Sequence, residues 1–569
     1  MTSNFNNEKG SMGKILLVLL PFWAPLIPPM GIACLKSFLR KQGFTVRTVD
    51  GNTAERFRDF SSTYFDCLKE YVPEDKWGNF YVVGKDVLQN HMMAYLNHDD
   101  EQAYGRAVKI LVKKTFFCDI DDESVQRLNR IVAGFFTGMH EWFTALLEEE
   151  TPAVVGFSVF ESTLPASLFA ARLTKEKNPA VKVLFGGGVF SEQLAQGSPN
   201  FEIFLEKNPY VDKIFIGEGE NLLLRYLRDE LPREERVYSL PALGGDTIDL
   251  TTAPVPDFSD FDQDQYAFIA AYTSRSCPYQ CSFCSETIFY GKYRKKPAAQ
   301  VVGEMAQLYR TYGRQLFLLC DSLLNPVVTP LAREFMAADQ VLYWDGYLRA
   351  DRDACDTENT LMWRRGGFYK AKLGIESGSP HVLELMNKKI TPEQIKQAVS
   401  GLAYAGIKTS TCWVIGHPGE TEVDFQLTLD MITELKDDIY EVWASPFYYY
   451  PSAQADMRAF EEKTYLLYPP FMEDMLMIRT WYPECEPSRE ESYRRMHRFV
   501  AHCDRLGIPN PHSLHDLYKA DMRWKELHEN AVPAIMEFRQ ADGYIDDTGK
   551  VKKLVRAAGR QEEDGDFGF

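Results

Sequence analysis

A chain of 569 residues is long enough for three to four domains of ordinary size. With 45% hydrophobic and 25% charged residues it has the composition of a folded globular protein, which excludes a disordered, collagen-like or low-complexity chain. Its 63 basic and 81 acidic residues leave a formal net charge of -18, which argues against binding nucleic acid by phosphate neutralisation. Eleven cysteines are too sparse, and odd in number, for a disulfide scaffold, and no secretory cleavage pattern is visible. These features predict a cytoplasmic protein with mostly free thiols.

Residues 1–12 are polar and read as a disordered tail. KILLVLLP (14–21) is a short apolar run of the kind that forms a buried parallel strand. Ile15 to Leu35 is 21 residues without a charge, the length of a membrane span. It contains Pro21, Pro25, Pro28 and Pro29, which break helix continuity, so a strand, a loop and a helix from about Met30 are predicted instead. FTVRTVD then gives a second strand ending at Asp50. Residues of about 56–148 have helical periodicity and read as an insertion with a structural role. Strands return at AVVGFSV (153–159), KVLFGGG (182–188) and DKIFIGEGE (212–220), with a helix from Leu164 to Lys175. Alternation of strand and helix predicts an α/β fold, a Rossmann-like, doubly wound parallel sheet over 13–235. Residues 236–262, rich in Pro, Gly and Asp, read as a linker.

A second α/β rhythm starts at YAFIAAYTSRSC and continues at 315–321, 341–349, 369–377, 408–416 and 439–447. Six strands with crossovers predict a partial or complete βα barrel over 263–453. Residues 454–569 read as a mainly helical extension, with helices around 489–505 and 512–530 and the acidic tail EEDGDFGF.

Cys277, Cys281 and Cys284 stand in CPYQCSFC, a C-x3-C-x2-C triplet that follows a predicted strand. Thiolates are soft ligands for zinc or for iron–sulfur clusters. Structural zinc takes four protein ligands, and no fourth Cys or His lies nearby. Three thiolates suit a [4Fe-4S] cluster with one iron left for a small ligand. Spacing alone leaves the two metals about even. The position, on the loop after the first strand of a βα array, is where such folds build sites.

The triplet with Phe283 before its last cysteine resembles the radical S-adenosylmethionine (SAM) enzymes. GIESGSP (374–380), MNKKIT (386–391) and GLAYAGIKTSTCWVIGHPGET (401–421) extend the resemblance over about 265–450. It implies that Cys277, Cys281 and Cys284 hold a [4Fe-4S] cluster whose open iron binds SAM, and that reductive cleavage yields a 5′-deoxyadenosyl radical. It further implies SAM contacts from Phe283, Asp321, Arg349, Glu376, Ser377, Ile415 and Gly416, each at or after a strand end.

PPMGIACLKSFLRKQGFTVRTVD (28–50), VVGFSV, FGGG and FIGEGEN resemble the cobalamin-binding domain that precedes the radical domain in one subfamily. This implies cobalamin contacts from Ser158, Gly186, Gly187, Gly188, Gly217, Glu218 and Gly219. Glycines at a strand's carboxyl end let a flat ligand approach the backbone. The D-x-H-x-x-G motif is absent, so no imidazole from that motif is expected on cobalt. The resemblance implies a cobalamin-dependent radical SAM enzyme, most commonly a C-methyltransferase for an unactivated carbon of a peptide or natural-product intermediate. The alternatives are oxidative cyclisation or ring rearrangement, and, from another class, a non-catalytic cobalamin or metal sensor. Expected partners are a small-molecule or peptide substrate and an external low-potential donor of flavodoxin or ferredoxin type, without nucleic acid or membrane. No catalytic residue is assigned. Trp443, Phe447, Tyr448, Tyr449 and Tyr450 either line a substrate cavity or pack as barrel core, and core is the preferred reading. His502, His512 and His515 read as surface or capping residues.

Overall fold

The computed structural model describes residues 13–23, 25–338, 340–452, 454, 463–475, 478, 481–528 and 531; the expected tail at 1–12 and the acidic end lie outside the described residues. Six strands, β1 (Ile15–Leu19), β2 (Val46–Asp50), β3 (Val154–Ser158), β4 (Lys182–Gly186), β5 (Lys213–Ile216) and β6 (Val237–Ser239), form a parallel sheet in the order β2-β1-β3-β4-β5-β6. The order reverses between β1 and β3, which opens a crevice outside the carboxyl ends of the strands.

β6 opens the stretch read as linker. Three residues among Pro, Gly and Asp carry no legible alternation. Pairing from Ile214↔Val237 to Ile216↔Ser239 is what makes them a strand.

A parallel sheet needs both faces covered. Ile15, Leu17 and Leu19 pack towards α1 (Met30–Lys41), and Leu16 and Val18 point the other way. That second face is covered largely by the insertion, which forms α2 (Phe60–Lys69), α3 (Phe80–Asn97), α4 (Glu101–Phe116) and α5 (Asp122–Glu150). α5 starts at Asp121, whose carboxylate accepts from the Ser124 N–H at 2.8 Å, and it buries Phe135, Phe136, Met139 and Phe143 against the sheet. Each such side chain contributes about 1.5–3 kcal/mol. The insertion therefore forms core, as its periodicity predicted. α6 (Leu164–Lys177), α7 (Pro199–Lys207) and α8 (Gly219–Leu227) complete the two layers. No described helix is long and apolar enough to cross a membrane.

The second sheet begins with β7 (Ile269–Ala271), followed by a short antiparallel ribbon, β8 (Ser274–Arg275) and β9 (Arg294–Lys295), with α9 (Glu286–Tyr290) between its arms. Then come β10 (Leu316–Leu319), β11 (Tyr343–Leu348), β12 (Phe368–Glu376), β13 (Lys408–Ile415) and β14 (Glu441–Pro446). The crossover helices are α10 (Ala298–Tyr312), α11 (Val328–Ala337), α12 (Thr357–Arg365), α13 (Pro380–Leu385), α14 (Pro392–Tyr404) and α15 (Glu422–Glu434). All six large strands are parallel, with β7 and β14 as unpaired edges, so the barrel is partial. The N-terminal unit bridges this seam. The Leu26 carbonyl accepts from the Ala267 and Phe268 N–H groups before β7, and the Asn79 amide donates to the Ala444 carbonyl of β14 at 2.8 Å.

After β15 (Thr464–Leu466) and β16 (Trp481–Pro483), α16 (Arg489–Arg505) packs on β13 and β14. α17 (Leu514–Leu527) packs at the amino end of the barrel, where Asp521 pairs with buried Lys408 at 2.5 Å and accepts from the Tyr440 hydroxyl at 2.8 Å.

Candidate active site

The cysteine loop grows from β8 and returns through α9 to β9. Asp321, just past β10, anchors its root. Its buried carboxylate accepts from the Thr273 N–H at 2.9 Å and from the Thr273 and Ser274 hydroxyls at 2.6 and 2.5 Å. Burial raises its pKa, against the lowering effect of these bonds. Asp321, expected to face SAM, thus also shapes the loop that carries the cysteines.

The far side of the loop is held by the segment after α13. The Ser282 N–H donates to the Met386 carbonyl at 3.0 Å, and the Asn387 amide donates to the Gln280 carbonyl at 2.6 Å. Lys388 of the same segment pairs with Glu376 at the end of β12, at 2.7 Å. Two motifs distant in sequence, MNKKIT and GIESGSP, therefore meet behind the cysteines.

Cys277, Cys281 and Cys284 are half-buried free thiols on this loop. Burial pushes the Cys284 thiol up to about 12 and raises Cys277 as well, with Cys281 contributing like-charge repulsion to both. Among the described residues no three His, Cys, Asp or Glu side chains converge closely enough to hold a single metal ion. A cluster binds each thiolate at a different iron, so it tolerates wider sulfur spacing than one zinc does.

Arg349, at the end of β11, gives the strongest test of fit. Its Nη1 donates to the Cys281 sulfur at 3.7 Å, and its guanidinium lies 4.1 Å over the Tyr279 ring. Its Nη2 is buried without a hydrogen-bond partner. An orphaned cationic donor beside three thiols fits an anionic group there, whether thiolate-ligated cluster or ligand carboxylate.

The remaining expected SAM contacts ring the same carboxyl end but mostly have partners within the chain. The Phe283 carbonyl accepts from the Gln454 amide at 2.7 Å, and its ring packs with Phe447 and Tyr449. Ser377 is buried and its hydroxyl accepts from the Ser379 N–H at 3.1 Å. Ile415 is buried at the end of β13. Gly416 (φ 78°) donates its N–H to Glu420, and a Cβ there would strike Ser492 of α16.

Glu420 itself was missed in the sequence. Buried, it is pushed up to about 7 by desolvation, against the opposing Arg495 guanidinium and Gly416 N–H. Its folded pKa exceeds the ordinary 4.5, so stability falls as pH rises from about 4.5 to 7. Glu420→Gln is expected to stabilise the protein at pH 8, by the order of 1–3 kcal/mol, and to be near neutral at pH 5. Denaturant melts at the two pH values check this.

Ser158 and Gly186–Gly188 stand at the carboxyl ends of β3 and β4, and Gly217–Gly219 after β5. The glycines answer first to the chain. A Cβ on Gly187 (φ 116°) would lie 2.5 Å from the Val159 carbonyl oxygen, and one on Gly188 would lie 2.9 Å from Phe160. Gly187→Ala is expected to cost at least about 1–3 kcal/mol, because both the left-handed backbone and the Val159 contact resist it. Chemical denaturation reads that loss. The close packing leaves the edge low, with Trp23 half-exposed and tilted 4.8 Å from the Phe160 ring.

Glu218 is engaged within the chain. With Glu220 it reaches across to the cysteine-loop ribbon. Arg275 pairs with Glu218 at 2.9 Å and with Glu220 at 2.6 Å, and Arg294 also pairs with Glu218. All are mostly buried. The sequence gave no sign of this clamp, since its members lie about 55 to 76 residues apart.

Trp443 departs from the core reading. It is 43% exposed and faces the barrel lumen, whereas Phe447 and Tyr449 are buried and Tyr448 and Tyr450 are half-buried. Alternation along β14 puts Trp443 on the lumen side with Glu441, which periodicity alone could not assign. His502 bonds Thr433 at 2.8 Å near the surface, and His512 packs on Tyr81. Of His515 only its place in α17 is described.

The model of the radical SAM superfamily matches residues 271–432, which hold the cysteine loop, Arg349, Glu376 and Gly416. Residues 271–432 thus carry a radical SAM domain. It is 26% identical over 376 residues to the anaerobic magnesium-protoporphyrin IX monomethyl ester cyclase of Cereibacter sphaeroides, covering 60% of this chain and 59% of that protein. It is 24% identical to an uncharacterised methyltransferase of Pyrococcus horikoshii, over 52% of this chain and 66% of the other. The matched region therefore spans less than two thirds of these radical SAM relatives. In fold, this radical SAM chain resembles the SAM methyltransferase TsrM from Kitasatospora setae, solved with cobalamin and a [4Fe-4S] cluster. The TM-score is 0.54 at 16% identity, over 97% of this chain and 99% of that one. It also resembles the cobalamin-dependent enzyme OxsB, with a TM-score of 0.52 at 12% identity, over 97% and 84%. The Rossmann-like sheet followed by a partial barrel is thus a fold shared with TsrM and OxsB.

Proposed function

We propose that this protein is a cobalamin-dependent radical SAM enzyme whose reaction is C-methylation of an unactivated carbon in a small-molecule or peptide substrate. What supports the reading is the site around Arg349, where two family motifs meet behind the cysteine triplet and one buried guanidinium nitrogen has no partner. Methyltransferase relatives favour methylation, and the cyclases among them make non-methylating chemistry the second reading.

When bound, the cluster supplies the electron that cleaves SAM, and cobalamin supplies a methyl carrier. Cys277, Cys281 and Cys284 would hold the cluster. Arg349 stabilises negative charge beside it. The Glu376–Lys388 pair sets the rim where SAM's polar groups would lie. The edge formed by Trp23, Ser158 and Gly186–Gly188 would seat the corrin at the seam of the barrel. The seam contacts of Leu26 and Asn79 would help to exclude water from the site once the cofactors are bound. The electron source is an external low-potential donor, and the free thiols suit a reducing compartment.

Anaerobic reconstitution with iron, sulfide and cobalamin, followed by dithionite and SAM, tests this. About four irons and one cobalt per chain, with both 5′-deoxyadenosine and S-adenosylhomocysteine formed, are expected. Deoxyadenosine without S-adenosylhomocysteine in the presence of substrate favours the cyclase-type reading. Zinc in place of iron, without cleavage, overturns both.

A further inference from the structure

Strand register defines what the barrel encloses. Tyr347 of β11 pairs with Lys372 of β12, and Lys372 with Ser410 of β13. One step nearer the cysteines, Gly374 pairs with Cys412 and Cys412 with Trp443. Paired residues point to the same side, so these two layers line the lumen below Arg349 and Glu376. Barrel interiors are normally filled by branched apolar side chains. Here one position is glycine, and the large residues do not fill the space: Tyr347 is 45% exposed and Trp443 is 43% exposed.

This exposure belongs to an enclosed chamber rather than to the outer surface. Cys320, at the end of β10, is exposed, and Cys412 is half-exposed, yet burial pushes both thiols to about 12. A side chain has both properties when its free surface faces a space walled by protein. Tyr347 is likewise raised by burial, with Cys412, Asp345, Lys370 and Cys320 as its electrostatic neighbours from four strands.

The chamber offers donors. Among the described residues the Tyr347 hydroxyl has no hydrogen-bond partner. Lys372 lies within electrostatic reach of both thiols. Its ammonium has one carboxylate contact, to Asp345, at a loose 3.4 Å. Deeper in the barrel, Lys370 pairs with Glu441 at 2.6 Å. A flat ring therefore has two aromatic faces to meet, and an anion has an under-used ammonium beside them.

We infer that this lumen selects, as substrate, a planar aromatic ring carrying a carboxylate, with the ring against Tyr347 and Trp443 and the carboxylate at Lys372. The inference rests on the proposed radical SAM reaction only for naming the ligand a substrate; the binding it describes is separate from catalysis.

The test uses the reconstituted full-length protein and ligand-observed NMR. The probes are indole-, naphthalene- and quinoline-carboxylates, each beside its carboxamide. Acids are expected to bind at least about tenfold tighter than amides, since an ammonium–carboxylate bond is charge-assisted. Lys372→Met is expected to erase that preference while amide binding persists. Trp443→Ala is expected to weaken acids and amides together. Both variants should keep wild-type iron content and circular dichroism, and a variant that fails this check is replaced by Lys372→Gln or Trp443→Leu. The inference is overturned if no carboxylate binds, if amides bind as well as acids, or if the acid preference survives loss of Lys372. SAM cleavage without any probe, read as 5′-deoxyadenosine, reports on the proposed reaction independently, so either idea can fail alone.

Discussion

Cys281→Ala is expected to abolish SAM cleavage completely while leaving cobalamin binding intact. Cys281 is the middle ligand of the triplet and the one whose sulfur accepts from Arg349. Two thiolates cannot retain a cluster that needs three. The proposed corrin edge lies on the first sheet, built from separate strands, so it is expected to survive. Cys355→Ala is the control. That thiol donates to the Gln394 carbonyl at 3.3 Å, away from the loop, and its loss should leave iron content unchanged. Iron and sulfide analysis, the electron paramagnetic resonance signal of the reduced cluster, and the visible spectrum of bound cobalamin give three separate readouts. Persistent 5′-deoxyadenosine formation by the alanine variant would remove the basis for assigning the cysteines.

Arg275→Met is expected to be the most destabilising single change away from the cysteines. Arg275 lies two residues before Cys277 and joins two carboxylates of the N-terminal unit to the neck of the cysteine loop. Removing it leaves Glu220 buried without a cation, and breaking such a pair costs about 3–5 kcal/mol. The pH dependence identifies the cause. Burial alone would raise the Glu220 pKa, but the Arg275 guanidinium outweighs it and holds the carboxyl below its ordinary 4.5. In the wild type this contribution is full above pH 4.5 and is lost as pH falls through the lower folded value. In the variant burial acts unopposed and the sign reverses. Protonation then relieves the penalty, so the gap between the two proteins should narrow from pH 8 to pH 5. Urea unfolding at both values measures it. The double change with Glu220→Gln should recover part of the loss, since no uncompensated charge remains. A constant gap across pH would mean that Arg275 acts by packing alone. Iron incorporation should fall in the variant, because the clamp closes the loop that presents the thiols.

Much of this molecule can be read from its sequence because the relevant signals are local. The two α/β rhythms, the proline-broken apolar run, the helical insertion and the cysteine triplet each lie within a few tens of residues, where periodicity and spacing report directly on burial and ligand type. The strand β6 was not legible, since three residues at a sheet edge acquire their conformation from a neighbour. The tertiary structure alone decided which polar groups meet. Asp321 holds the loop root, Glu218 and Glu220 clamp Arg275, Lys388 pairs with Glu376, and Trp443 faces the lumen. These are contacts between elements far apart in the chain. Their energies depend on distance and desolvation, which a residue's type and its sequence neighbours do not determine.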